Sequence, residues 1–319
     1  NIHAQFKLGD SAPYNSRPIS SRNHIAPLEL APESQYLLLV RLKSGSSVNA
    51  PMYLSTSRAL FEHEHFSQIA MGMFYGLVLG LITYNLFLFV IIRQTIYLQY
   101  VLYALGFSLT IASIDGLLYQ FWPSSAAWES RSLYVISWLS GAFICLFCRS
   151  MLQTKTQSPK SDKVLVALFI IWIMFCVLSF FIDTTIIGKI NTSLGIPFIF
   201  TVFAITVIRF LQGHKAAIYF VVGMGAYCIG LLSLVAGALN LYDNYELAPT
   251  FFKIGAAIEM VMFAIALAQR IRSLESKSNT AEKEVKQVRT EAAIKAKYIN
   301  EISESNKLLE QAVQTKSDF

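Results

Sequence analysis

Apolar and polar positions divide this chain into three stretches with three different patterns. Residues 1–62 are polar and broken by turn formers at 10–13, 17–18 and 31–34, the composition of loops. Two short apolar runs interrupt them. Residues 36–42 predict a buried-type strand and 51–55 a second one. A segment of about sixty residues with so little apolar content makes a poor core alone. It therefore reads as the closing strands of an all-β domain whose earlier strands lie outside the chain. Asn1 is no initiator Met and no signal-peptide core follows it, so the chain is expected to be a fragment with its start removed.

Seven apolar runs make the second stretch, at 69–92, 97–113, 133–147, 164–182, 190–208, 217–239 and 251–268. Each is near the length at which a helix crosses hydrocarbon. The third is the shortest and extends toward Met151. From Ile271 the period becomes seven. Ile271, Ser278, Val285, Ala292, Ile299, Asn306 and Val313 share one heptad position, and Leu274, Ala281, Val288, Lys295, Ile302, Leu309 and Lys316 its partner. Ten of these fourteen are apolar, which predicts a left-handed parallel coiled coil in phase with the last span. A buried Asn306 pair would fix its register. Ser278, Ala281, Ala292, Lys295 and Lys316 thin the seam and make it easy to repack. The predicted fold class is mainly α and integral to the membrane, with β-sandwich tail at 1–62, seven-helix bundle at 63–270 and cytoplasmic coiled coil at 271–319.

Composition agrees with this division. The 319 residues are 54% hydrophobic and 14% charged, with a mean hydropathy of +0.48, against about 25% charged for a soluble domain. The net charge of +6 sits at the ends of the apolar runs, so it reports topology rather than nucleic-acid binding. One set of connections holds Arg93, Arg149, Lys155, Lys160, Lys163, Arg209, Lys215, Arg270 and Arg272. The opposite set holds only Arg131, Lys189 and Lys253, with Asp115, Glu129, Asp183, Asp243 and Glu246. The positive-inside rule makes the first set cytoplasmic. The β tail is then outside, the coiled coil inside, and the number of spans odd.

Few residues invite chemistry. Glu259, inside the seventh span, is costly in lipid and expected to face the bundle interior. Asn85, beside Thr83 and Tyr84, is its polar counterpart in the first span. A hydrogen bond that locks packing is the favoured role, and a relay that differs between signalling states is the other. Asp115, Trp122, Asp243 and Tyr245 are candidate ligand contacts in the outer loops, although aromatic residues at that depth also form an interfacial belt. Lys253 is too near the span's outer end for retinal-type chemistry and is expected to snorkel to the headgroups. Pro197, after Gly195, is the one candidate helix break. His63 and His65 lie in a juxtamembrane linker with no third ligand in view. Cys145 and Cys148, a C-x-x-C on a membrane helix, read as packing residues. No phosphate-binding glycine loop, nucleophile elbow or zinc helix motif occurs, so the chain is expected to hold no catalytic, cofactor or metal site.

The run from Gly76 through Gly80, Thr83, Tyr84 and Asn85, followed by Arg93, Tyr97 and Tyr100, resembles the bacterial seven-transmembrane receptors with diverse intracellular signalling modules. Gly255 to Glu259 and Ala266 to Ile271 are similar to that family's last span. Arg17, Pro18, Pro27 to Leu30 and Leu39 to Ser44 resemble the end of the β-sandwich sensor that precedes many such bundles. The resemblance covers 1–270 and implies a receptor in the bacterial inner membrane, with an unknown, carbohydrate-like ligand outside. The end of the chain, Asn306 to Phe319, resembles the linker of hybrid sensor histidine kinases, where a Lys-Ser-Asp/Glu-Phe run precedes the phosphoacceptor helix. That implies a homodimer, ATP and Mg in a kinase domain beyond Phe319, and a response regulator or receiver domain as downstream partner. A diguanylate cyclase output is the alternative. A transporter or channel with a regulatory tail is the rival of another class, and it lacks the expected internal symmetry.

Overall fold

A computed structural model describes residues 5–9, 14–42, 52–121, 126–239, 241 and 247–317. Its helices are α1 (Ser57–Ile92), α2 (Thr95–Ile114), α3 (Ala126–Met151), the single turn α4 (Thr154–Gln157), α5 (Pro159–Leu178), α6 (Thr184–Leu211), α7 (Ala217–Ala238) and α8 (Leu247–Ser317). Among the described residues seven stretches are long and apolar enough to cross a membrane, one in each helix except α4. They coincide with the seven apolar runs. In hydrocarbon a backbone N–H or C=O must be satisfied inside its own segment, and a helix does this without neighbours. The protein is a multi-pass membrane protein. The chain forms two compact units, Asn1–Leu267 and Ala268–Phe319.

Local chemistry sets the helix ends. Thr56 caps α1, its hydroxyl accepting from the Ala59 amide at 3.3 Å. The same helix stops at Arg93, which takes a left-handed φ of 55° while its N–H bonds Phe89 O. Asp183 caps α6, accepting from the Thr185 amide at 2.8 Å. That hydrogen bond holds the Asp183 carboxyl below its ordinary range. Pro159 occupies the first turn of α5, where its missing N–H is no loss. Pro197 does not break α6, which runs through it. The Gly195–Pro197 step is thus contained in a helix that neighbouring turns still support.

Packing in the first unit is aromatic and close. Phe263 on α8 stacks on Phe220 of α7 at 4.3 Å and tilts against Phe147 of α3 at 5.4 Å. Tyr100 of α2 closes the group against Phe147 at 5.6 Å. On the far side Trp172 of α5 lies between Trp138 of α3 and Phe198 of α6, at 5.1 and 4.0 Å. Helices α7 and α8 meet backbone to backbone, and a Cβ at Gly255 would fall 2.5 Å from the Ala226 carbonyl oxygen. Small residues at such crossings let helices approach within van der Waals contact, the main attraction available in lipid.

The polar first stretch departs from expectation. Residues 36–42 form no strand, and Leu37 and Leu39 are each 85% exposed. Residues 52–55 are likewise without strand structure, and residue 51 lies outside the described residues. A strand exists only by pairing, and among the described residues no neighbour offers these segments a ladder. His63 and His65 also depart, since they stand on helix α1 rather than in a linker.

Gly255→Ala should lower the thermal unfolding midpoint of the detergent-solubilised chain, by a cost of roughly 1–3 kcal/mol, because backbone cannot yield as a flexible side chain can. Gly76→Ala, with nothing near its Cβ, should leave the midpoint unchanged or raise it. Equal effects would contradict the close crossing.

Candidate functional site

Glu259 lies in the core at 1% exposure. Tyr103 of α2 donates to its Oε2 at 2.8 Å, and one turn away Tyr100 donates to the Met260 carbonyl at 2.9 Å. The Tyr103 carbonyl accepts in turn from Ser140 Oγ of α3 at 3.3 Å. Tyr103 itself is fixed by Phe107, stacked at 5.7 Å, and by Phe263 at 6.0 Å. The site therefore places an ionisable group of α8 on a phenol of α2, inside a wall of aromatic rings. It can store or release one polar tie between two helices. Among the described residues no group of three or more His, Cys, Asp or Glu is arranged to hold a metal.

A second tie between α2 and α8 stands at the Asp115 end. Asp115 is the C-cap of α2, where the exposed carbonyls give the helix a negative end that disfavours a carboxylate. Two donors offset this. Lys253 Nζ of α8 lies 2.7 Å from Asp115 Oδ1, and Tyr75 Oη of α1 donates to Oδ2 at 2.8 Å. The Lys253 and Asp115 side chains are only 20% and 10% exposed, so the pair is less screened than a surface ion pair.

Arg22 sits above α1 at the same end. Its guanidinium donates to Ser67 Oγ and Met71 Sδ, each at 2.8 Å, and lies 3.5 Å from Glu64 Oε2. Asn23 also donates to Glu64. The opposite end of the bundle is tied by Arg209 of α6, 2% exposed. It donates to the Leu152 carbonyl at 3.0 Å and to Gln157 Oε1 at 2.5 Å. Beside it, Arg149 pairs with Asp162 through two bonds of 2.8 and 3.1 Å.

A family model described as 7TM diverse intracellular signalling matches residues 67–270. The chain belongs to that family. Residues 1–56 match a second model, the extracellular 2 region of the same receptors. No match was found among curated proteins or among solved structures.

Set in this family's bundle, the residues singled out in the sequence have different surroundings. Glu259 and Asn85 are both buried, but their hydrogen bonds do not join them. Asn85 donates to Leu81 O in its own helix at 2.8 Å, and its Oδ1 is buried without a partner. Asp115 is paired with Lys253 and Tyr75. Lys253, expected to snorkel, instead pairs with it. Trp122, Asp243 and Tyr245 lie outside the described residues. Asn306 is exposed on α8, in the second unit. Cys145 and Cys148 are buried free thiols of α3. Sequence reasoning missed Tyr75, Tyr103 and Arg22. A Tyr among many aromatics carries no mark of its partner, although the opposite charges Asp115 and Lys253, both at the same predicted depth, could have been paired.

Tyr103→Phe should destabilise the bundle by about 0.6–2 kcal/mol, the range for interhelical hydrogen bonds in membranes. Combined with Glu259→Gln, the two effects should fall short of their sum in a double-mutant cycle. Strict additivity would show that the bond contributes nothing.

Proposed function

We propose that the chain is the sensing and transmitting part of a dimeric receptor in the bacterial inner membrane. The end bearing Asp115 and residues 1–56 faces the extracytoplasmic side, and α8 leads into the cytoplasm. Orientation rests on the nine-to-three distribution of Lys and Arg between the two sets of connections. Residues 1–56 belong to an external sensing region that takes a carbohydrate-like ligand. Paired copies of the region from Ile271 onward form a parallel coiled coil, and the output is a histidine kinase using ATP and Mg beyond Phe319, feeding a response regulator or receiver domain.

One observation carries the reading. Lys253 and Glu259, which tie α8 to α2, stand on the same helix element that bears the heptads. On that helix Val285, Val288, Ile299, Ile302 and Leu309 are 53–66% exposed in the single chain. An apolar heptad stripe left in water is what a second helix covers. A ligand that favours one arrangement of the α2–α8 ties shifts a two-state equilibrium, and the stripe passes the change to the output.

In membranes, Ile302→Cys should form a disulfide between copies on mild oxidation, while Lys297→Cys, on the opposite face of the heptad, should not. Asn306→Val should tighten the dimer and bias the output of the full-length protein. The parent gene past Phe319 should encode a His followed by Glu within about a dozen residues, as the resemblance implies, and the purified parent should autophosphorylate on it. A tighter Asn306→Val dimer with unchanged output would contradict transmission through the seam.

A further inference from the structure

We propose that residues 14–23 form a latch that holds the outer end of α8 through the Asp115–Lys253 pair. The inference rests on the outward orientation proposed above. The segment is folded on itself. A 3₁₀ turn at Tyr14–Ser16 leads into Arg17, whose Nη1 donates to the carbonyls of Ser21 and Arg22 at 2.7 and 3.1 Å. Its guanidinium also lies 4.9 Å from the centre of the Tyr14 ring. These bonds gather the chain into a knot that presents Arg22.

Arg22 touches both partners of the clamp's framework. Its side chain grips α1 at Glu64, Ser67 and Met71, one turn before Tyr75. Its backbone rests on Gly116, the residue after Asp115. Gly116 has a φ of +76°, and a Cβ there would lie 3.1 Å from the Arg22 carbonyl oxygen. Only glycine takes that conformation readily and leaves room for the knot. The knot thus sets the distance between α1 and the end of α2, which is the distance across which Tyr75 reaches Asp115.

Asp115 needs its two donors together. It stands at the negative end of α2, and Lys253 is the cation that offsets it. When the knot lifts, Gly116 and Tyr75 lose their common support and Asp115 is free to turn to water. Lys253 is then released with α8. The latch is a contact with two arrangements, placed where the external region meets the bundle, and movement of residues 1–56 is its natural trigger.

The test uses the whole chain in lipid nanodiscs, with its four native cysteines replaced by alanine. Nitroxide labels at Ile69→Cys on α1 and Leu247→Cys on α8, both exposed, report the separation of the helix ends by electron–electron resonance. Arg22→Ala and Gly116→Val should each broaden the distance distribution as much as Lys253→Met does, with helicity unchanged. The exchanged pair Asp115→Lys with Lys253→Asp should restore part of the narrow distribution relative to Lys253→Met. A narrow distribution in Arg22→Ala and Gly116→Val, with a broad one in Lys253→Met, overturns the latch, because the clamp would then hold without the knot. A narrow distribution in all three overturns it as well. The receptor reading is tested separately, by the output of the full-length protein. Output that ignores a broadened distribution would count against the receptor and leave the latch standing.

Discussion

A polar group in hydrocarbon must find its partner inside the protein, and the rest of this bundle is arranged around that constraint. Seven segments answer it by becoming helices. Glu259 answers it by accepting from Tyr103 at 2.8 Å. Removing either partner leaves the other facing lipid or rings, so the two are placed together or not at all. Phe107 and Phe263 hold the Tyr103 ring against the carboxyl, and Phe147 and Phe220 back Phe263.

The bundle is held by contacts of two kinds. The crossing of α7 on α8 at Gly255 and the stacked rings supply broad van der Waals attraction with no preferred angle beyond their shape. Polar ties from α2 and its C-cap to α8 include Tyr103–Glu259, Tyr100–Met260 and Asp115–Lys253. A tie of about 1.4 kcal/mol changes an equilibrium tenfold, so two such ties set a population without holding the bundle together. A ligand's differential binding energy is of the same order. The Arg209 end is bound differently, with a buried guanidinium joining α6 to the α3–α5 connection.

The sequence disclosed the elements better than the site. The seven spans were legible because length and hydropathy decide insertion, and charge marked their ends. Burial of Glu259 was legible for the same reason. The identity of its partner was not, since Tyr103 and Tyr100 look no different from the other tyrosines until α2 and α8 are packed. Lys253 was misread because its depth matched snorkelling, and depth alone cannot show that Asp115 stands 2.7 Å away. The strand expected at 36–42 rested on a short, nearly continuous apolar run, but a strand also needs a neighbour to pair with. His63 and His65 were placed in a linker because hydropathy falls before residue 69, whereas the Thr56 cap starts α1 at Ser57.

The central claim is that α8 conveys the state of its ties to the heptad region by position and phase. Inserting residues immediately after Arg272 in the full-length protein tests it most directly, with output activity measured in cells. Seven inserted residues keep the heptad face in phase and should leave the output near its parental level. Two inserted residues turn that face by about 200°, to the other side of the helix, and should change the output several-fold. Equal output from both insertions would contradict the account.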